Sequence, residues 1–319
     1  MLADSFSLLD LELFVRTAEL GSLSHAAREL ALQPATASAS LKRLESRLTT
    51  RLMVRSTRSL RLTPAGEEFL TQARRALDTL RAARDSVRAE PGALRGSLRI
   101  AAPSDFGRAT LRPWLDEFQT AHPELDIALL LSDRFADFYR EPVDFALRYG
   151  VPSDSALIVK PLLPQVRRVA VAAPAYLSAH GVPREPEELT AHSTLAWVIQ
   201  RSGDARVHAR WEFSRGRERR TAIVSARCAS DDGAVVRDWA LAGRGIAYKS
   251  QLDVAADLHA GRLVRVLPEW DGELSPLNLV MAFRDYQPPA VRAAMDYLGE
   301  RMRSDPVLRA AAGDEGIAR

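Results

Sequence analysis

The stretch SLSHAARELALQPATASASLKRLE, Ser22–Glu45, decides how this chain is read. It divides into two short helices joined by a tight turn. In the second, Pro34 suits the first turn, where its missing N–H would have had no partner. Ala37, Leu41, Leu44 and Leu48 recur at helical spacing and form a buried face. The opposite face carries Ala35, Thr36, Ala39, Lys42, Arg43 and Ser46. It is small and neutral at its N-terminal end and basic at its C-terminal end. A helix of this size fits the DNA major groove. The division suits close approach to base edges first and phosphate contact after.

Working outward, Leu9, Leu13, Phe14 and Ala18 share one side of an earlier helix that ends at Leu20-Gly21. Ser24 is expected to cap the next helix, with Ala26, Ala27 and Leu30 turned inward. Downstream, Leu52–Arg55 and Leu60–Thr63 read as two strands around the polar turn Ser56–Ser59. The formal charge of the 319-residue chain is only +3, so the position of the positive charge matters more than its sum. Lys42, Arg43, Arg47, Arg51, Arg55, Arg58 and Arg61 face a single acid, Glu45, within this one segment. Alone such a run is often a solvated face; beside a helix-turn-helix pattern it points to phosphate. Thr63-Pro64 then opens a helix from Ala65 to about Ala89. Its stripe of Phe69, Ala73, Ala76, Leu77, Leu80, Ala83 and Val87 is narrow and alanine-rich, as a helix–helix dimer seam requires. Packing on its own domain is the alternative. Pro91-Gly92 marks a hinge.

Beyond the hinge, apolar strands at Leu98–Ala102, Leu125–Leu131, Phe145–Arg148, Val169–Ala172, Leu195–Ile199, Gly245–Lys249, Leu263–Leu267 and Leu277–Phe283 alternate with helices. The helices lie at Leu111–Phe118, Ala175–His180, Ala234–Leu241, Val254–His259 and Val291–Met302. This alternation predicts an α/β region with a mostly parallel sheet covered by helices. From Pro306 the chain is small, charged and glycine-containing, and is expected to be a loose tail.

The N-terminus has no basic n-region or cleavage-like site, and no apolar run approaches the roughly 18 residues of a membrane span. A cytoplasmic protein with no membrane partner is expected. Cys228 is the only cysteine and is read as a small buried hydrophobe. His25, His122, His180, His192, His208 and His259 are scattered without zinc spacing. There is no G-x-S-x-G, no P-loop and no G-x-G-x-x-G; Gly243-Arg244-Gly245-Ile246 is a fragment. Glu67-Glu68 reads as a solvated helix surface. No catalytic residue, metal or cofactor is assigned. A solute-binding transport protein would fit the second half of the chain but not its head.

Several ordered motifs now match a family. FVRTAELGSLSHAARELAL (Phe14–Leu32), SLKRLESRL (Ser40–Leu48) and RLTPAGEEFL (Arg61–Leu70) lie in the head. LRIAAPSDFG (Leu98–Gly107), WLDEFQTAHPELDIALLLSD (Trp114–Asp133), DFALRYG (Asp144–Gly150) and ALAGRGIAYKS (Ala240–Ser250) follow. From about Leu8 to Met302 the chain resembles the LysR-type transcriptional regulators, with RSTRSLRLT and APSDFG most like the CrgA-like branch. Two positions depart from the family pattern. Leu32 precedes Gln33-Pro34 where serine is frequent, and Ala39 follows Ser38 where arginine is common.

The resemblance implies a mainly α winged helix-turn-helix over residues 1–64 and a linker or dimerisation helix with hinge over 65–92. An effector domain over 93–303 follows, with the two-lobed α/β fold of type 2 periplasmic binding proteins. Lobe I takes about 93–166 and 268–303, lobe II about 167–267, and a flexible tail spans 304–319. It further implies a homodimer, usually paired into a homotetramer, on an imperfect palindrome of double-stranded DNA. Such a dimer sets its reading helices roughly 34 Å apart. RNA polymerase is a further candidate partner. Thr36, Ala39 and Arg43 are assigned to base edges; Gln33, Ser38, Ser40, Lys42, Arg55, Thr57 and Arg58 to phosphate or minor-groove positioning. Ser24 and Pro34, at the helix starts, complete this surface. The dimer seam is assigned to Phe69, Ala73, Leu77, Leu80 and Val87.

A small-molecule effector, of anionic character, is expected outside the carboxyl ends of the strands. Pro103-Ser104-Asp105-Phe106-Gly107 fits that place, with backbone N–H groups and the Ser104 hydroxyl able to hold a carboxylate. Arg148 could supply charge, although Asp105, Asp231 and Asp232 could equally attract a cation. Asp231 and Asp232 open a helix that faces the cleft in the family, and read equally well as helix-start residues. Trp197, Ile199, Ile246 and Ala247 are candidates for an apolar wall, or for core.

Overall fold

The computed structural model describes residues 6–55, 60–88, 94–133, 143–150, 152, 157–198, 207–282 and 287–312. The chain forms two compact units, one holding Met1–Ala93 and the other Leu94–Ala136 with Val143–Arg319.

In the first unit, α1 (Leu8–Leu20), α2 (Leu23–Glu29) and α3 (Pro34–Arg47) are followed by β1 (Met53–Arg55), β2 (Leu60–Leu62) and α4 (Pro64–Arg88). Leu13, Phe14, Ala26, Ala27, Ala37 and Leu44 meet in one core, as their spacing requires. Three expectations change. Leu9 is 40 % exposed, because the inward face of α1 is set by Leu11, Leu13, Phe14 and Val15 instead. Ser22, not Ser24, caps α2: its hydroxyl accepts from the His25 N–H, and Ser24 lies exposed in the first turn. The third concerns α4. Ala73 and Leu77 are buried in the core of their own unit, and Phe69 packs against Phe6 and Phe14. The first turns of α4 therefore cover α1, the alternative weighed for that stripe, while Leu80 stands 51 % exposed. The side chain of Val87 and the Pro91-Gly92 hinge lie outside the described residues. Gly66 has a packing reason: a Cβ there would lie 2.0 Å from the Leu52 carbonyl oxygen.

The second unit begins with lobe I: β3 (Gly96–Ala102), α5 (Ser104–Phe106), α6 (Arg112–Ala121), β4 (Leu125–Leu131), β5 (Phe145–Tyr149) and β6 (Ile158–Leu163). The chain then builds lobe II: β7 (Arg168–Ala172), α7 (Pro174–His180), β8 (Thr194–Trp197), β9 (Val207–Arg215), β10 (Glu218–Ser230), α8 (Gly233–Leu241), β11 (Ile246–Ser250), α9 (Gln251–His259), β12 (Val264–Val266) and β13 (Asp271–Gly272). It returns to lobe I with β14 (Leu277–Met281), α10 (Pro289–Ser304) and α11 (Pro306–Ala311).

Among the described residues, lobe I holds a sheet of order β4-β3-β5-β14-β6 and lobe II one of order β12-β7-β11-β8-β10-β9-β13. Both are mixed rather than mostly parallel. β3 runs parallel to β4 and β5, but β14 is antiparallel to β5 and β6. In lobe II, β8 is parallel to β10 and β11, whereas β9, β7, β12 and β13 pair antiparallel. The β9–β10 hairpin escapes the sequence reading because the apolar alternation of each strand is short and is set among arginines on the opposite face and at the turn. Only Trp211, Phe213, Ala222 and Val224 of its alternating positions are deeply buried.

The expected loose tail is corrected over residues 304–312, and 313–319 lie outside the described residues. Asp305 caps α11 by accepting from the Val307 and Leu308 N–H groups. Leu308 and Ala311 then pack into the lobe I core beside Leu252 and Ala255 of α9. Cys228 is half-buried against the lobe II core.

Candidate functional site

On α3 the predicted outer face is exposed: Gln33, Pro34, Thr36, Ala39, Lys42 and Arg43, with Ser38 half-buried. The same helix turns Ser40 inward at 1 % exposure, so Ser40 is not a surface contact. Its hydroxyl donates to Asp10, a carboxylate of α1 that sequence reasoning missed. Arg43 also binds Asp10, through Nε at 3.0 Å and Nη2 at 2.5 Å, while its side chain stays 47 % exposed. Asp10 further accepts the Ser7 N–H and completes a capping box at the start of α1. Burial pushes the Asp10 carboxyl up, but the hydrogen bonds from Arg43, Ser40 and Ser7 outweigh it and hold it well below the usual carboxylate range. Arg43 is thus a fixed rather than a free guanidinium. Glu45, the lone acid of the basic run, accepts the Leu52 and Met53 N–H groups and anchors the hairpin to α3. The side chain of Arg55, and Thr57 and Arg58, lie outside the described residues.

Within the second unit, a cleft of about 110 Å³ opens between the lobes. Lobe I lines it with Pro103, Asp105, Ser132, Asp133, Arg148 and Tyr149, and lobe II with Arg168, Trp197, Gly233, Tyr248, Lys249 and Asp253. On the measure by which one water needs ~10–15 Å³, it admits a small organic molecule. Of the predicted residues, Pro103, Asp105, Arg148 and Trp197 meet there. Phe106, Ile246 and Ala247 do not: each is 0 % exposed and belongs to a lobe core. Asp232 is a helix-start residue, since it caps α8 through the Ala234 N–H and pairs with Arg108 at 3.0 Å through both oxygens. Asp231 is exposed and outside the lining. Ile199 lies outside the described residues.

The charged groups of the cleft are mostly bound to one another. Lys249, 5 % exposed, lies 2.5 Å from Asp105 and 3.5 Å from Asp253 and donates to the Gly233 carbonyl. Burial pushes the Asp105 carboxyl up to about 7 against the pull of Lys249, and Asp253 adds to the rise. Tyr149 donates to Asp253 at 2.7 Å, and burial raises its hydroxyl well above the ordinary tyrosine value. Arg148 donates to the Ser132 and Leu147 carbonyls. Arg168 pairs with Glu273 and lies 5.9 Å from the Trp197 ring and 5.8 Å from the Tyr248 ring. Trp197 Nε1 is buried and finds no hydrogen-bond partner among the described residues, and Ser250 lies beside the Tyr149 hydroxyl. A lysine inside the apolar strand Ile246–Ser250 was the signal that could have revealed this cluster, because lysine is almost never buried unpaired.

Ser104 holds a carboxylate, as the turn predicted, but the carboxylate is the chain's own. Asp133 accepts from Ser104 N at 2.6 Å, Ser104 Oγ at 2.6 Å and Gly233 N at 2.5 Å. Among the described residues no group of three or more His, Cys, Asp or Glu is placed to hold a metal ion. No described helix is long and apolar enough to cross a membrane.

This pairing of a reading helix with a two-lobed cleft has close parallels among known proteins. The family model "Bacterial regulatory helix-turn-helix protein, lysR family" matches residues 8–67, and "LysR substrate binding domain" matches residues 91–303. The probable HTH-type transcriptional regulator LtrA of Klebsiella pneumoniae is 35 % identical, covering 94 % of this chain and 96 % of its own length. The HTH-type transcriptional activator TtdR of Escherichia coli K12 is 31 % identical, with 91 % of each chain covered. The structure of CrgA, a LysR-type regulator from Neisseria meningitidis, superposes with a TM-score of 0.58 at 29 % identity, over 92 % of this chain and 98 % of that one. The chain belongs to the LysR family: it is a DNA-binding transcriptional regulator, not an enzyme, and its C-terminal domain senses a small-molecule effector.

Proposed function

We propose that the outer face of α3 reads DNA through Thr36, Ala39 and Arg43, with Gln33, Ser38 and Lys42 on the phosphates. The exposure of this face, with Arg43 held in place by Asp10, supports the division. Because Ala35 and Ala39 are bare, methyl contacts and DNA shape carry much of the sequence preference. We further propose that the interlobe cleft binds the effector and that the protein acts in the cytoplasm as a homodimer, paired into a tetramer. The exposed Leu80 supports a seam on α4 beyond Leu77. RNA polymerase is the remaining partner expected of a promoter-bound regulator.

The single observation that carries the effector reading is the cleft itself, with Trp197, Tyr149 and Tyr248 as aromatic walls and Ser250 among its lining. A bound molecule would shift the lobes and, through α4, the spacing of the reading helices. The DNA half is tested by titrating variants on the promoter duplex, located by genome-wide footprinting, and on a scrambled duplex. Lys42→Ala should weaken both equally and reduce the salt slope by about 1. Thr36→Ala should weaken the promoter duplex alone. Uniform losses for both variants would overturn the assignment.

A further inference from the structure

We infer that Asp133 is the built-in anion of the cleft and determines which ligands it accepts: a free carboxylate can reach Ser104 and Gly233 only by displacing Asp133. The cradle is made by both lobes. Ser104, 3 % exposed, contributes its N–H and hydroxyl from the end of β3, and Gly233 contributes its N–H from the first turn of α8. Asp133 leaves lobe I just past the end of β4; its Oδ1 accepts from Ser104 N, and its Oδ2 bridges the lobes by accepting from both Ser104 Oγ and Gly233 N. Three short donor contacts thus converge on this one side chain, two from lobe I and one from lobe II.

Two further observations point the same way. A Cβ on Gly233 would lie 2.7 Å from Lys249 Nζ and 3.1 Å from Asp133 Oδ2, so a larger residue there would crowd the lysine and the carboxylate. Ser250, 4 % exposed, lines the same cleft beside Tyr149 and offers a hydroxyl near the cradle. Asp133 thus joins the lobes without a ligand. A carboxylate effector exchanges one carboxylate for another at the cradle and gains its preference from Ser250, Trp197 and the aromatic wall. A neutral or cationic effector leaves Asp133 in place.

This inference rests on reading the cleft as the effector site, and its test needs no effector. In the full-length protein, hydrogen exchange is followed at the Ser104 and Gly233 amides in wild type, Asp133→Ala and Asp133→Asn. Exchange should rise about tenfold or more in Asp133→Ala and less in Asp133→Asn, which keeps one acceptor oxygen. Sodium acetate at about 50 mM should restore protection in Asp133→Ala, sodium chloride at the same strength should not, and wild type should respond to neither. Should Asp133→Ala fold poorly, acetate should raise its melting temperature more than chloride does. Unchanged exchange in Asp133→Ala, or no acetate-specific effect on exchange or melting, overturns the inference. The effector reading fails separately, if Trp197→Ala and Ser250→Val leave the promoter response intact.

Discussion

Replacing Asp10 with alanine should unfold the DNA-reading unit early and leave the effector domain untouched. Asp10 is 0 % exposed and serves two structural partners besides Arg43. Its loss removes the reciprocal half of the capping box, the bond from the Ser7 N–H, worth about 0.5–1.5 kcal/mol, while the Ser7 hydroxyl still caps the N–H of residue 10. It also strands the Ser40 hydroxyl, 1 % exposed, at about 1–3 kcal/mol. Arg43 is half in water, so its lost pairing adds nothing to this sum. The total, roughly 1.5–4.5 kcal/mol, corresponds to a drop in melting temperature of roughly 6–36 °C for a unit of this size, at ~4–8 °C per kcal/mol. The sequence supplies the assay. All five tryptophans, Trp114, Trp197, Trp211, Trp239 and Trp270, lie in the second unit, so their emission reports only on that unit. Far-UV circular dichroism also follows α1 to α4. Asp10→Ala should create an early dichroism transition while the tryptophan transition stays put. Adding Ser40→Ala should cost little more, because the two side chains share one interaction. A dichroism curve that does not move, or two transitions that move together, would refute the argument that Asp10 is the hub of an independently stable head.

Two other outcomes are expected. Folded Asp105 keeps its proton up to about 7, whereas in the unfolded chain it releases it near 3.8, so the folded state binds more protons between those values. Its contribution to stability therefore falls as pH rises from about 4 to 7. Asp105→Asn should flatten the difference between tryptophan-detected urea midpoints at pH ~5 and ~8, and an unchanged difference would count against the buried pair. Leu308→Ala should destabilise the effector domain by about 2–5 kcal/mol, measured the same way. No loss there would return α11 to the status of a loose tail.

Sequence alone determined the helix-turn-helix, the face of α3 that meets solvent, the α/β character of the second half and the turn at Ser104, while its two lobes were implied by the family resemblance. Each is a local matter: apolar residues at a period of 3.6 or 2, proline at a first helical position, or a polar turn after a strand. Ser40 shows where that legibility ends. On a helical projection it is a small polar residue, and only the approach of α1 makes it a buried donor to a carboxylate far away in sequence. The same holds for α4, whose apolar stripe fits a partner helix or its own domain equally well until α1 covers it. Asp133, Lys249 and Gly233 come from three separate segments, and no spacing rule relates them. Only the packing of lobe on lobe brings them together, because a buried charge must find its partner in three dimensions whatever its place in the chain.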